Sequence, residues 1–131
     1  MQGRIDIRRE RLIGEIQKDF SQAYPYLKID FYRVKGNAKY KTAEKLDKSM
    51  ALYTADIHRE GELVLSDTMT VLELERRFRE EFGAYVQVSR KSGILWLETT
   101  MTDNWSLKQQ NDNGRELSEP ARSIKDEIDY N

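Results

Sequence analysis

TVLELERRFREEFGAYVQVSRKSGILWLETT, residues Thr70 to Thr100, reads as one helix followed by a β-hairpin. Thr70 and Glu73 have the spacing of a capping box, and Val71, Leu74, Phe78 and Phe82 recur at helical spacing as one apolar stripe. Gly83 then ends the helix. From Ala84 the period changes to two, so that Ala84, Val86 and Val88 point one way and Tyr85, Gln87 and Ser89 the other. Ser92-Gly93 suits a two-residue hairpin turn, with Ile94 to Thr100 as the returning strand.

That turn fixes a pairing. Val88 would face Leu97, Val86 would face Thr99, Ser89 Trp96 and Gln87 Glu98, leaving Val86, Val88, Leu95 and Leu97 on a helix-covered face. Tyr85, Ile94 and Trp96 fall on the other side. A face this aromatic invites cover, and three kinds compete: the chain's own Trp105, Leu107 and tail or a second copy, another protein or peptide, or the bases of a single-stranded nucleic acid.

Upstream, Ile13, Ile16, Phe20 and Tyr24 have helical spacing from about Arg9, and Pro25 closes that helix. Leu27, Ile29 and Phe31 then alternate with Lys28, Asp30 and Tyr32 in a half-buried strand to about Val34, which adds Tyr32 to the aromatic face. The first unit repeats the central one: Ile16, Phe20 and Tyr24 match Leu74, Phe78 and Phe82 at an offset of 58, and Ile29, Phe31, Arg33 and Gly36 match Val86, Val88, Arg90 and Gly93 at an offset of 57. Ancestral duplication and the structural pseudo-symmetry of two amphipathic units both account for this.

Elsewhere the pattern is weaker. Arg4 to Arg8 suits a short edge strand or the approach to a helix, and Gly36 to Lys48 a polar loop or a short frayed helix. Ala51 to Ser66 suggests strands at about Leu52–His58 and Glu62–Leu65, with Glu60-Gly61 turning between them. After the hairpin, Thr102-Asp103-Asn104 offers caps for two helical turns from Trp105 to Asn111, stopped by Asn113-Gly114. The expectation is a single α+β domain over residues 1–114, with units at about 9–36 and 70–100. Its antiparallel sheet carries two helices on one face, a circularly permuted ferredoxin-like αββαββ order is one form of it, and a short C-terminal helix follows. Residues 115–131 read as a polar tail, disordered or docked.

The bulk numbers narrow function by exclusion. Hydrophobic residues are 38% and charged ones 34% of 131, and 22 basic against 23 acidic residues leave a formal charge of −1, so no global field draws the chain to nucleic acid. There is no cysteine for a disulfide, thiolate metal site or nucleophile. No apolar run approaches a membrane span, and the first twenty residues contain none of signal-peptide length, so the cytoplasm is the expected setting and no membrane partner is.

Catalytic and ligating candidates are few. His58 is the one histidine, and Asp56, His58 and Glu60 alternate as an oxygen-and-imidazole set, a spacing that a mixed-charge strand end also produces. No phosphate loop, dinucleotide fingerprint or nucleophile elbow occurs, so neither a catalytic residue, a metal nor a cofactor is assigned. The basic stretch from Tyr32 to Lys41 interleaves Arg33, Lys35, Lys39 and Lys41 with two tyrosines, as a nucleic-acid patch or as a solvated loop that keeps an edge soluble.

Phe82-Gly83-Ala84-Tyr85-Val86-Gln87-Val88, Arg90-Lys91-Ser92-Gly93, Trp96-Leu97-Glu98-Thr99-Thr100 and Thr102-Asp103-Asn104-Trp105 together resemble small conserved proteins of unknown function from Bacteroidota bacteria. The resemblance covers about Thr70 to Asn111, implies a bacterial cytoplasmic setting and carries no activity. The functional expectation is therefore a non-enzymatic domain for self-association or protein interaction, using Tyr32, Tyr85, Ile94 and Trp96. A single-stranded nucleic-acid binder using that face with Arg33, Lys35, Lys39 and Lys41 is the alternative, and an enzyme of unknown class is the third reading.

Overall fold

A computed structural model describes residues 2–37 and 39–119. The chain runs β1 (Gln2–Ile7), α1 (Ile13–Ala23), β2 (Leu27–Gly36), β3 (Lys41–Lys45), a 3₁₀ turn (Leu52–Ala55), β4 (Gly61–Ser66), α2 (Val71–Arg77), β5 (Tyr85–Ser92), β6 (Leu95–Glu98), a second 3₁₀ turn (Thr100–Thr102) and α3 (Leu107–Ser118). A π-helical turn, Phe78–Phe82, prolongs α2. The fold is α+β, with three helices and two antiparallel sheets among the described residues, a β1-β4 ribbon and a four-stranded β3-β2-β5-β6 sheet. Within that class the strand order departs from the permuted ferredoxin-like one, because β2 and β5 are central neighbours and β1-β4 is a separate ribbon.

The helices form where period and caps agree. Thr70 Oγ1 accepts the Glu73 N–H at 3.0 Å, and Gly83, at φ 81°, ends the π turn in the left-handed region. Ile13, Ile16, Phe20 and Tyr24 of the first helical stripe and Val71, Leu74, Phe78 and Phe82 of the second are all buried. They meet Ile5, Ile7, Leu27, Ile29, Phe31, Leu63, Leu65 and Val88 in one core, where Phe31 and Phe78 pack edge to face with centroids 5.6 Å apart.

The two halves of the chain share one backbone plan. Ile5 pairs with Leu63, the residue 58 positions on, and Asp30 pairs with Gln87, the residue 57 positions on, so each ribbon is centred on equivalent residues of the two halves. The hydrogen bonds repeat as well. Ile13 N–H to Met50 O at 2.9 Å is matched by Val71 N–H to Trp105 O at 3.2 Å, and Leu52 N–H to Arg11 O at 2.7 Å by Leu107 N–H to Met69 O at 2.8 Å. The 3₁₀ turn at Leu52 thus occupies the place of the start of α3.

Four local expectations are corrected. The Gly36–Lys48 segment holds strand β3, whose side chains are all exposed and so carry no alternation to read. Leu52–His58 is no strand: Leu52 and Ala55, three apart and both buried, belong to the 3₁₀ turn, which ends at Asp56 with φ 57°. The helix beginning at Leu107 continues through Asn113-Gly114 to Ser118, because Gly114 serves close packing: a Cβ there would lie 2.8 Å from that of Tyr26. The hairpin turns at Gly93-Ile94, with Gly93 at φ 66° in the first turn position, as a II′ turn favours. Ser92 therefore faces Leu95, Lys91 Trp96, Arg90 Leu97 and Ser89 Glu98, a two-residue shift that leaves every side chain on its expected face. Arg115–Ser118, expected in the tail, form the last turn of α3, and residues 120–131 lie outside the described residues.

Candidate interaction surface

The four-stranded sheet sends alternate residues to two sides. Leu27, Ile29, Phe31 and Val88 turn inward to α1 and α2, while Lys28, Asp30, Tyr32, Tyr85, Gln87, Ser89 and Trp96 turn outward. Tyr32 and Tyr85 are directly paired across β2 and β5, and they border an open depression with Val34, Ala43, Gln87 and Glu98. Burial, then the Asp30 carboxylate, raises the pKa of the Tyr32 phenol. Lys28 Nζ lies 5.2 Å from the centroid of Trp96, so a cation already rests on that ring. Lys28 and Lys45 flank the buried Asp30 at 3.8 and 3.6 Å. Ile94 sits at the hairpin tip, 95% exposed.

The expected burial of β6 is not met. Leu95 and Leu97 are on the inward side, yet they are 62% and 42% exposed, and Trp96 on the outward side is 40% exposed. The helices explain this. α1 and α2 cover β2 and β5, and α3 lies along β5, where Arg90 Nη1 donates to Gln110 Oε1 at 2.6 Å and the guanidinium stacks 5.4 Å from Trp105. Trp105 and Leu107, one of the competing covers for the outward face, are instead held on the inward side, Leu107 within the core. Among the described residues, nothing pairs with the outer edge of β6.

The basic stretch does not join the aromatic face. Arg33 and Lys35 alternate away from Tyr32 and both pair with Glu44, at 3.4 and 3.1 Å; Lys35 first and Arg33 second lower that carboxyl's pKa. Lys39 Nζ lies 5.5 Å from the ring of its neighbour Tyr40, and Lys41 is exposed at the start of β3. Asp56, His58 and Glu60 do not converge either. The His58 backbone N–H bonds to Phe82 O at 2.9 Å, and Glu60 accepts the Arg9 N–H at 2.8 Å. Among the described residues no group of histidine and carboxylates could hold a metal, and no helix is long and apolar enough to cross a membrane.

The feature that sequence reasoning missed is an edge. β3 and β6 occupy equivalent places: β2 residues 32–35 pair with Lys45, Glu44, Ala43 and Thr42, and β5 residues 89–92, each 57 positions on, pair with Glu98, Leu97, Trp96 and Leu95. One edge is Thr-Ala-Glu-Lys and the other Leu-Trp-Leu-Glu. Only the unread strand at 41–45 kept the comparison from being drawn in sequence. No family model, no curated protein and no solved structure matches this chain.

Proposed function

We propose that the chain is a non-enzymatic domain for self-association or protein interaction, working through the β5-β6 hairpin and the Tyr32, Tyr85 and Trp96 face. The observation that carries this is the β6 edge, unpaired among the described residues, with Ile94, Leu95, Trp96 and Leu97 all exposed. Natural sheets blunt such edges with charge, as β3 does with Lys41, Glu44 and Lys45, and an edge left apolar is suited to contact. A bacterial cytoplasmic setting is what the resemblance to the Bacteroidota proteins implies.

A second reading, single-stranded nucleic-acid binding, draws on Lys28, Lys45 and Lys91 beside the outward aromatics. It has lost Arg33 and Lys35 to the other side, and Asp30 and Glu98 share the face. Trp96 emission in a Trp105→Phe variant separates the two. The interaction reading expects a blue shift that grows with protein concentration and no response to mixed oligonucleotides. Emission that stays red at every concentration contradicts self-association. Oligonucleotide quenching that fades between about 50 and 200 mM salt favours the second reading.

A further inference from the structure

The edge of β6 is self-complementary, and this deepens the interaction reading on which it rests. In the hairpin the Thr99 N–H bonds to Val88 O at 3.3 Å, so the hydrogen-bonded pairs with β5 are Val88 with Thr99, Arg90 with Leu97 and Ser92 with Leu95. Trp96 and Glu98 therefore direct their backbone N–H and C=O groups away from β5, into the open edge. An antiparallel copy of the strand related by a twofold axis perpendicular to the sheet must keep each side chain on its own face, so the axis passes midway between one residue and its own copy.

We propose that two copies of this chain pair β6 to β6 with the axis at Trp96. Trp96 then exchanges both backbone hydrogen bonds with Trp96 of the partner subunit. Leu95 lies opposite Leu97 of the partner subunit, and Leu97 opposite Leu95 of the partner subunit. Glu98, the only charge on the strand, lies opposite Ile94 of the partner subunit and not against its own copy. An axis at Leu97 would instead set Glu98 opposite Trp96 of the partner subunit at both ends of the seam, with the carboxylate against the indole. The strand β3 in the equivalent place carries two lysines and a glutamate over five residues, so the other edge is closed to the same contact.

The two copies together would bury at most roughly 600 Å² of apolar side-chain surface, taking about 100 Å² per aliphatic side chain and about 200 Å² for an indole, scaled by exposure. With the backbone ladder added this is a small interface of the dissociable kind. The pairing joins two four-stranded sheets into one of eight, with the Tyr32, Tyr85 and Trp96 faces continuous across the axis.

The chain has no cysteine, so a single introduced thiol reports the register. In full-length Trp96→Cys the two thiols sit on directly opposed residues, within the Cα separation of about 4.4–6.8 Å that a disulfide spans, whereas Leu97→Cys thiols are displaced by two residues. Mild oxidation should link the position-96 variant at least about tenfold faster than Leu97→Cys or Ala43→Cys, the β3 counterpart, because only opposed thiols meet without backbone movement. Light scattering on the unaltered chain accompanies it. A dimer in solution whose fastest link is at position 97 or 43, or which links at none, overturns this register and leaves the interaction reading standing. A monomer at high micromolar concentration overturns both.

Discussion

β3 and β6 close one sheet at opposite edges, pair with residues 57 positions apart, and follow the same helix-strand plan, yet their surfaces have little in common. β3 is Lys-Thr-Ala-Glu-Lys, with Glu44 held by Arg33 and Lys35. β6 is Leu-Trp-Leu-Glu, with three large apolar side chains in the open. The backbone cannot be the cause, since it is shared; neither can the core, since Ile16, Phe20 and Tyr24 are as buried as Leu74, Phe78 and Phe82. What differs is what each edge must avoid. Three charged residues along β3 oppose strand addition, and the single one at the end of β6 permits it.

The largest test of the comparison lies in the core. Phe20 and Phe78 are fully buried and occupy equivalent places, so Phe20→Ala and Phe78→Ala should each cost about 3–5 kcal/mol in a urea titration, as large aromatic truncations do. If one costs far less than the other, the two halves are not energetically equivalent, and the edges should not be compared as counterparts.

A smaller effect sharpens the comparison at one position. Gln17 of α1 donates to Ile29 O at 2.9 Å; its counterpart 58 positions on is Glu75 of α2, which accepts the Val88 N–H at 3.2 Å where the β6 ladder gives out. Burial raises the pKa of Glu75, with the Val88 N–H opposing. A carboxyl that holds its proton more tightly when folded makes the native state bind more protons than the unfolded one. Stability contributed this way is present below the unfolded pKa and declines as pH rises through the folded value. Glu75→Gln keeps an acceptor for Val88 and installs the residue of the first half. Urea midpoints should show no loss at acidic pH and a gain over the parent as pH rises to neutral. A variant less stable than the parent at neutral pH would mean that the charged hydrogen bond to Val88 outweighs the burial.

Much of the architecture was legible in sequence because two periods speak clearly where one face is buried. Val71, Leu74, Phe78 and Phe82 announce a helix, Leu27, Ile29 and Phe31 a strand, and the structure places all seven in the core. β3 was illegible for the same reason: with every side chain exposed it is held by its ladder to β2 and has no apolar alternation. Gly114 misled because glycine serves both to stop a helix and to let one approach a neighbour, and only the contact with Tyr26 and Arg90 distinguishes these. At the surface, the outward alternation of Tyr32, Tyr85 and Trp96 could be read. That Arg33 and Lys35 leave that face, and that Leu95 and Leu97 escape α3, depends on pairing and helix placement that no local pattern encodes.

The most direct measurement converts one edge into the other. Replacing Leu95, Trp96, Leu97 and Glu98 by the residues of the equivalent β3 positions, as Leu95→Thr, Trp96→Ala, Leu97→Glu and Glu98→Lys, alters only exposed side chains and sets a glutamate beside Arg90 as Glu44 stands beside Arg33. Light scattering across a concentration series should find the parent chain passing from monomer to dimer and the grafted chain monomeric throughout, with an unchanged circular dichroism spectrum. A grafted chain that associates as strongly as its parent would show that the apolar edge of β6 is not what brings molecules together.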